Sequence, residues 1–390
     1  MISVDAALGH LFALALPVGI EEVPLSAAAG RTLAREMSAT RDQPPFPSSA
    51  MDGYAVRGAD LRPGAVFDVV GTSAAGHGSD ISIGPGQALR IFTGAPVPHG
   101  ADRIVIQEDV TRAGDQITIG DAPDAGPYVR PAGGDFKAGD TVTTPRVLGP
   151  ADLSLLAAMN HATVPCRRRP DVAILATGDE LVMPGETPRP DQIIASNGVG
   201  LKALIEGAGG TARLLPIARD TEAALHSALD LAKGADLVVT MGGASVGDHD
   251  LVGPVAAARG MTPAFYKVAM RPGKPLMAGR LDGAAMIGLP GNPVSTLVCG
   301  TVFIVPLLRA MLGFEPGPAP RRTVQLARDI PENGPREHYM RARLTPDGIA
   351  PFDRQDSSLL SVIADANALL IRPVRDPARR AGDTVDYLPL

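Results

Sequence analysis

Apolar positions near the start of the chain recur at helical spacing: Val4, Leu8, Leu11, Phe12 and Ala15 fall on one face, and Ser3 stands at the N-cap position. Pro17 closes that run. A second short helix is expected over 27–35. After Pro44 and Pro45 the pattern changes to short β-branched runs at 66–70, 90–92, 103–107 and 116–119, separated by clusters of Gly, Pro and Asp. That is the signature of an all-β module. Residues 151–159 return to helical spacing, and Arg167, Arg168, Arg169 and Pro170 read as a connector.

From Asp171 strands and helices alternate: strands at 172–176, 212–217 and 237–241, helices at 198–206, 221–232, 250–258 and 293–312. Such alternation implies a parallel sheet with crossover helices, whose ligands bind at the carboxyl ends of the strands. Beyond 316–318 short strands return at 323–326, 338–344 and 368–373, which suggests a small C-terminal β-barrel or sandwich. The expected class is therefore α/β plus β, multidomain.

Composition narrows the function. The 390 residues carry 36 Lys+Arg against 42 Asp+Glu, a net charge of −6, without the concentrated cationic face that a nucleic acid or a membrane surface requires. No nucleic-acid partner and no membrane are expected. Trp is absent and aromatic residues are 4%, which argues against stacking platforms. Cys166 and Cys299 lie far apart and outside any CxxC spacing, so neither a disulfide framework nor a zinc site is expected, and a reducing cytoplasm fits. No signal peptide is expected at the N-terminus, and the run at 302–308, broken by Pro306, falls short of the roughly 18 apolar residues of a membrane span.

The strongest local signal is the run from Leu237 through Gly242, Gly243, Ser245 and Asp248 to Asp250: a hydrophobic strand, then a glycine-rich turn, then a helix start. Backbone N–H groups of such a turn can converge on an anion. The same glycines also suit a plain tight turn with Asp248 as N-cap. Further segments fall at strand ends of this domain. They are 176–181 with Asp179 and Glu180, 219–221 with Asp220, 267–275 with Lys267, Arg271, Lys274 and Pro275, and 289–295 with Pro290, Asn292 and Pro293. Singly these are caps, solvated charges and a rigid turn. Together they bring carboxylates, cations and exposed N–H groups to one sheet edge, a layout suited to a phosphorylated ligand with a divalent metal.

Several segments carry a resemblance through nearly the whole chain: 44–56 with Ser49-Ala-Met-Asp-Gly-Tyr, 90–98, Thr177-Gly-Asp-Glu-Leu181, Ser196-Asn-Gly198, 242–248, Arg271-Pro-Gly-Lys-Pro275 and Leu289-Pro-Gly-Asn-Pro-Val-Ser295. In these the sequence resembles the molybdopterin molybdenumtransferase family, which includes the E domain of gephyrin. The resemblance implies four parts: residues 1–44 with 139–169 as an N-terminal α/β domain, 45–138 as an elongated β domain, 170–316 as a molybdopterin-binding α/β domain, and 317–390 as the β-barrel. It implies a homodimer that consumes adenylyl-molybdopterin and molybdate, releases AMP and depends on Mg²⁺. It assigns catalysis to Asp52, Thr93, Asp135, Glu180, Asp220 and Asp250, and metal binding to Glu180 and Asp220, with Asp248 and Asp250 as alternatives. Substrate binding goes to Gly242, Gly243, Ser245, Asp248, Lys267, Arg271, Lys274, Pro275, Pro290, Asn292, Pro293, Arg336, Arg341 and Ser358. Further partners it implies are the adenylyltransferase and apo-molybdoenzymes.

Two other functions compete. Adenylyl transfer to molybdopterin needs only the one α/β domain, so the long β region and the barrel argue against it. A non-catalytic carrier of finished cofactor would have no use for Glu180, Asp220 and Lys274.

Overall fold

The structure is a computed structural model and describes residues 1–242 and 251–390. The chain folds as two compact units, one of Met1–Glu21, Gly30–Ala34 and Cys166–Leu390, the other of Glu22–Ala29 and Arg35–Pro165.

In the first unit, six strands make one sheet in the order Thr211–Leu214, Asp171–Ala176, Leu237–Met241, Ala284–Leu289, Met277–Leu281, Thr262–Tyr266. The first four run parallel, with Ile174 opposite both Leu214 and Val239, and Val239 opposite Ile287. The last two are antiparallel. The expected parallel sheet with crossover helices is present, and an antiparallel edge extends it. Its antiparallel edge was hidden because Thr262–Tyr266 contains Pro263 and Met277–Leu281 contains no β-branched residue.

Alternation along the central strands sends Val172, Ile174, Leu237 and Val239 into one core, and Ala173, Leu175 and Val238 into another. The first core is covered by helices Asn197–Gly207 and Val4–Leu14, the latter capped by Ser3 Oγ, which accepts from the Ala6 amide at 3.1 Å. The N-terminal helix therefore packs with the α/β core. Helices Glu222–Leu231 and Val252–Ala258 cover the opposite face.

The long helix expected over 293–312 forms as Pro293–Cys299, a π turn over Gly300–Ile304, and Val305–Met311. The Val305 amide reaches back to Gly300 O, just before Pro306, which has no N–H to give. By length and apolarity this helix could cross a membrane, with mean hydropathy 1.8, but 78% of its apolar window is buried inside the protein. It is a core helix.

The C-terminal strands close into a barrel. Glu337–Thr345 pairs with Ala368–Arg372, which pairs with Thr384–Pro389 and so on to Arg322–Gln325, and Leu326 bridges to Ile349 of Gly348–Pro351, itself paired with Glu337–Thr345. Ala342, Ile349, Leu370 and Val385 fill it. The short strand Met270–Arg271 adds to its edge, parallel to Glu337–Thr345.

The second unit holds an antiparallel-dominated sheet in the order Arg103–Ile106, Gly53–Val56, Gln87–Ile91, Val66–Ser73, Gln116–Ile119, Val110–Ala113. Helix Pro150–Ala158 follows. The helix expected over 27–35 does not form: Leu25–Ala27 is one 3₁₀ turn and Thr32–Leu33 a strand, separated by Gly30 at φ 69°.

Candidate active site

A cationic cleft of about 270 Å³ opens between the α/β sheet and the barrel. Arg271, Lys274 and Arg336 supply its positive charge, while Asn292, Ser295 and Ser357 supply neutral polar groups. The loop bearing Arg271 and Lys274 leaves the short edge strand and passes Gly273, whose φ is 110°. A Cβ there would stand 2.5 Å from Cys299 Sγ and 3.0 Å from Met270 Sδ, so only glycine lets the loop lie on the long helix. The opposite wall is tied in place by Asn292 Nδ2, which donates to Ser357 Oγ at 3.0 Å, and by the Val294 amide on Ser357 O at 3.0 Å.

Beside the cleft, Arg341 is fully buried. Its Nη2 donates to Asp356 O at 3.1 Å, whereas Nε and Nη1 have no protein partner. Burial pushes its guanidinium down to about 10, with Arg271 adding to the effect. His338 is also buried, with Nε2 unpartnered, and burial plus the nearby arginines 271, 341, 372 and 336 lower it to about 3. The ring is therefore neutral at neutral pH. Asp356 is the cleft's one lining carboxylate among the described residues, and it is ionised, held below the usual range by the hydroxyl and amide of Ser358 at 2.6 and 2.8 Å. A site so rich in cations and unsatisfied N–H donors suits an oxyanion.

On the far side of the 290–293 turn lies a second, largely apolar pocket of about 140 Å³. Leu181, Ile193, Ile194, Val199 and Leu214 line it, and Glu180, Asn197 and Gly242 stand at its polar margin. Gly242 follows the strand Leu237–Met241 at φ 92°, where a Cβ would meet Thr177 O and Oγ1 at 2.9 Å. Two acidic turns meet nearby. The Asp179 amide donates to Asp220 Oδ2 and the Asp220 amide to Asp179 Oδ1, both at 3.3 Å, and Arg219 Nη1 donates to Asp179 O at 3.0 Å and Leu181 O at 3.2 Å.

In the second unit Asp52 and Thr93 are joined. Thr93 gives both its amide and its hydroxyl to Asp52 Oδ1 at 2.8 Å, and these bonds hold the carboxyl below its ordinary value. Arg90 lies over the rings of Tyr54 and Phe92 and donates to Gly53 O at 3.2 Å and Gln107 Oε1 at 2.7 Å.

Comparison with known proteins places these features in one family. Residues 2–160 match the MoeA N-terminal region (domains I and II), 173–310 a probable molybdopterin-binding domain, and 323–390 the MoeA C-terminal region (domain IV). A molybdopterin molybdenumtransferase of Nostoc sp. is 36% identical over 95% of this chain and 88% of its own length. Molybdopterin molybdenumtransferase 2 of Mycobacterium tuberculosis is 36% identical over 90% of each chain. The chain belongs to the molybdopterin molybdenumtransferase family. As a member it is an enzyme, a transferase. A crystal structure of the molybdopterin biosynthesis MoeA protein of Pyrococcus horikoshii superposes with a TM-score of 0.83 at 30% identity, covering 100% of this chain and 99% of the other.

Against the sites expected of a molybdopterin molybdenumtransferase, the structure gathers Arg271, Lys274, Pro275, Pro290, Asn292 and Arg336 around one cleft. Pro293, Glu180 and Gly242 line the other pocket. Lys267 is not among the cleft's lining residues; its ammonium lies over the Tyr266 ring at 5.6 Å, on a backbone at φ 67°. Ser358 bonds Asp356, and its neighbour Ser357 lines the cleft instead. Asp135 is exposed on another turn, its amide donating to Gln43 O at 2.9 Å. Gly243, Ser245, Asp248 and Asp250 lie outside the described residues. Ser295, Asp356 and His338 were missed. Ser295 sat in the quoted 289–295 motif without a role, and the other two have no local signal.

Proposed function

We propose that this transferase inserts molybdate into adenylyl-molybdopterin, releasing AMP; its relatives' names, molybdopterin molybdenumtransferase, support the coarser part of that reading, transfer of molybdenum to molybdopterin. The observation that carries the reading is the pairing of a cationic cleft with an apolar pocket across one short turn. Molybdate is a dianion approaching an electron-rich dithiolate, and Arg271, Lys274 and Arg336 would offset that repulsion and hold it near the sulfurs. Arg341, with two buried unpartnered N–H groups, is oriented by Asp356 O on the same wall. The apolar pocket suits a flat heteroaromatic group of the pterin nucleotide.

For Mg²⁺ the residues fit a substrate-borne ion better than a resident one. Among the described residues no group of three or more His, Cys, Asp and Glu side chains could hold a metal. Mg²⁺ keeps several waters and needs only one or two carboxylates beside substrate phosphates, a share that Glu180 and Asp220 can provide. When bound it would neutralise charge on the phosphates of the nucleotide. The chain's own part is to hold the two acidic turns together through the reciprocal Asp179 and Asp220 bonds.

The reading includes a homodimer in a cytoplasmic setting, with Asp52, Thr93 and Asp135 acting at the partner's site. Incubation with adenylyl-molybdopterin, Mg²⁺ and molybdate tests it. AMP release that requires molybdate is expected, and binding of finished cofactor without AMP release would favour the carrier. Transfer of AMP onto molybdopterin would favour the adenylyltransferase.

A further inference from the structure

The 290–293 turn is a wall shared by two pockets. Gly291 and Pro293 line the apolar pocket, whereas Pro290 and Asn292 line the cationic cleft. The wall is four residues thick along the chain and contributes two residues to each side, so neither pocket can change shape there without moving the other.

What holds this wall is a small hydrogen-bond cluster behind it. Asn197, the first residue of helix Asn197–Gly207, donates from Nδ2 to Gly291 O at 2.7 Å and to Thr296 Oγ1 at 3.4 Å. Thr296 lies one turn into the long helix and is fully buried. Its hydroxyl donates to Pro290 O at 2.9 Å and sits 3.2 Å from Asn292 O. Three consecutive carbonyls of the turn, 290 to 292, are therefore fixed by two side chains. The turn cannot supply this rigidity itself, because Pro290 and Pro293 have no N–H and the Asn292 side chain is committed outward to Ser357. Thr296 lines neither pocket.

We propose that Asn197 and Thr296 are positioning residues that clamp the 290–293 turn, so that filling the apolar pocket alters the affinity of the cationic cleft for an oxyanion. The inference rests on the functional reading above, in which a nucleotide group and molybdate occupy the two pockets. Coupling between sites is reciprocal, so molybdate tightens or loosens the nucleotide by the same factor. A wall fixed at its carbonyls transmits displacement, whereas a loosened wall absorbs it.

The test is calorimetric titration of molybdate into the whole protein, alone and with saturating AMP, for the wild type, Thr296→Val and Asn197→Asp. Thr296→Val keeps the shape of a side chain that touches neither pocket, and Asn197→Asp keeps size while removing the amide donor. In the wild type, AMP is expected to change the molybdate Kd by about fivefold or more. In both variants the factor is expected to fall to within about twofold of unity, while Thr296→Val binds each ligand alone about as the wild type does. A wild type that binds both ligands without coupling, or variants that retain the full factor, would overturn the clamp. A wild type that binds neither ligand would overturn the functional reading, and the clamp with it. Circular dichroism melts accompany each titration, and Thr296→Ala, at the same position away from both pockets, serves if Thr296→Val fails to fold.

Discussion

Arg271 and His338 are register partners on adjacent parallel strands, the short strand Met270–Arg271 lying against Glu337–Thr345. Through that pairing the loop carrying Lys274 is stitched to the barrel, and the Glu337 amide adds a bond to Ala269 O at 3.0 Å. The cationic cleft is thus built by two sheets that share one buried cluster, in which Tyr339, Leu369 and Ile371 of the barrel join the α/β core, and strand register brings its charges together.

His338 sits among arginines in a fold that opposes its protonation. The unfolded chain takes up a proton near the ordinary histidine pKa of about 6.5, while the folded chain resists until about 3. The folded state therefore binds fewer protons in that window, and stability falls as pH drops from about 6.5 toward 3, by up to ~1.4 kcal/mol per pH unit. His338→Gln should remove this slope. Urea unfolding of both proteins at several pH values between 7 and 4 checks it; parallel curves would show that the ring is free to protonate.

Arg341 is expected to pull stability and binding in opposite directions. Two buried donors without partners cost the fold, so Arg341→Met should leave stability unchanged or raise it. The same change should weaken molybdate binding, read by calorimetry. A strongly destabilised variant would mean that the Asp356 bond outweighs the orphaned groups.

Lys274 is exposed and tests the cleft without touching the core. A charge-assisted contact is worth on the order of 1.5–3 kcal/mol, so Lys274→Ala should raise the molybdate requirement roughly ten- to a hundredfold while leaving nucleotide binding nearly intact. The opposite pattern would make Lys274 a phosphate ligand.

Thr93 is expected to govern the ionisation of Asp52. Thr93→Val removes the hydroxyl bond but keeps the amide bond, the larger influence, so the Asp52 pKa should rise only part of the way to an ordinary carboxylate. Carbon-detected NMR titration of the Asp52 carboxyl reads the shift directly. No rise would place Thr93 as a structural neighbour alone.

The sequence made local order legible wherever pattern and cap agree. Ser3 caps the first helix as its spacing implies, Leu237–Met241 begins and ends where its apolar run does, and 116–119 is a strand. It was less legible where tertiary contact overrides propensity, as in the hairpin edge at 262–281 and the 3₁₀ turn at 25–27. For the site, Arg271 and Lys274 were visible because a Pro-Gly turn marks them. His338 was not, since nothing near it in sequence announces Arg271 across the strand pair or Arg372 on the other side. Lys267 was read with the other cations, but a left-handed backbone turns it onto Tyr266.

Gly273 offers the most direct link between packing and the oxyanion cleft. An added Cβ would meet Cys299 Sγ at 2.5 Å and two atoms of Met270 at 3.0 and 3.2 Å, at a φ of 110° that side chains avoid. Both sulfur-bearing residues are fully buried, so relief can come only from lifting the loop off the long helix. Gly273→Ala should therefore cost about 1–3 kcal/mol of stability. Because Arg271 and Lys274 flank the glycine, the same displacement should weaken molybdate binding without removing any charge. Cys299→Ala separates the two causes: it deletes the nearest obstacle but leaves φ unchanged, so the double variant should recover part of the loss. Combined with Cys299→Ala alone, the cycle isolates the steric component. If the double variant lost as much as the two single changes summed, backbone strain at φ 110° and the Met270 contacts would account for the effect, and contact with the long helix would not be what seats the cationic loop.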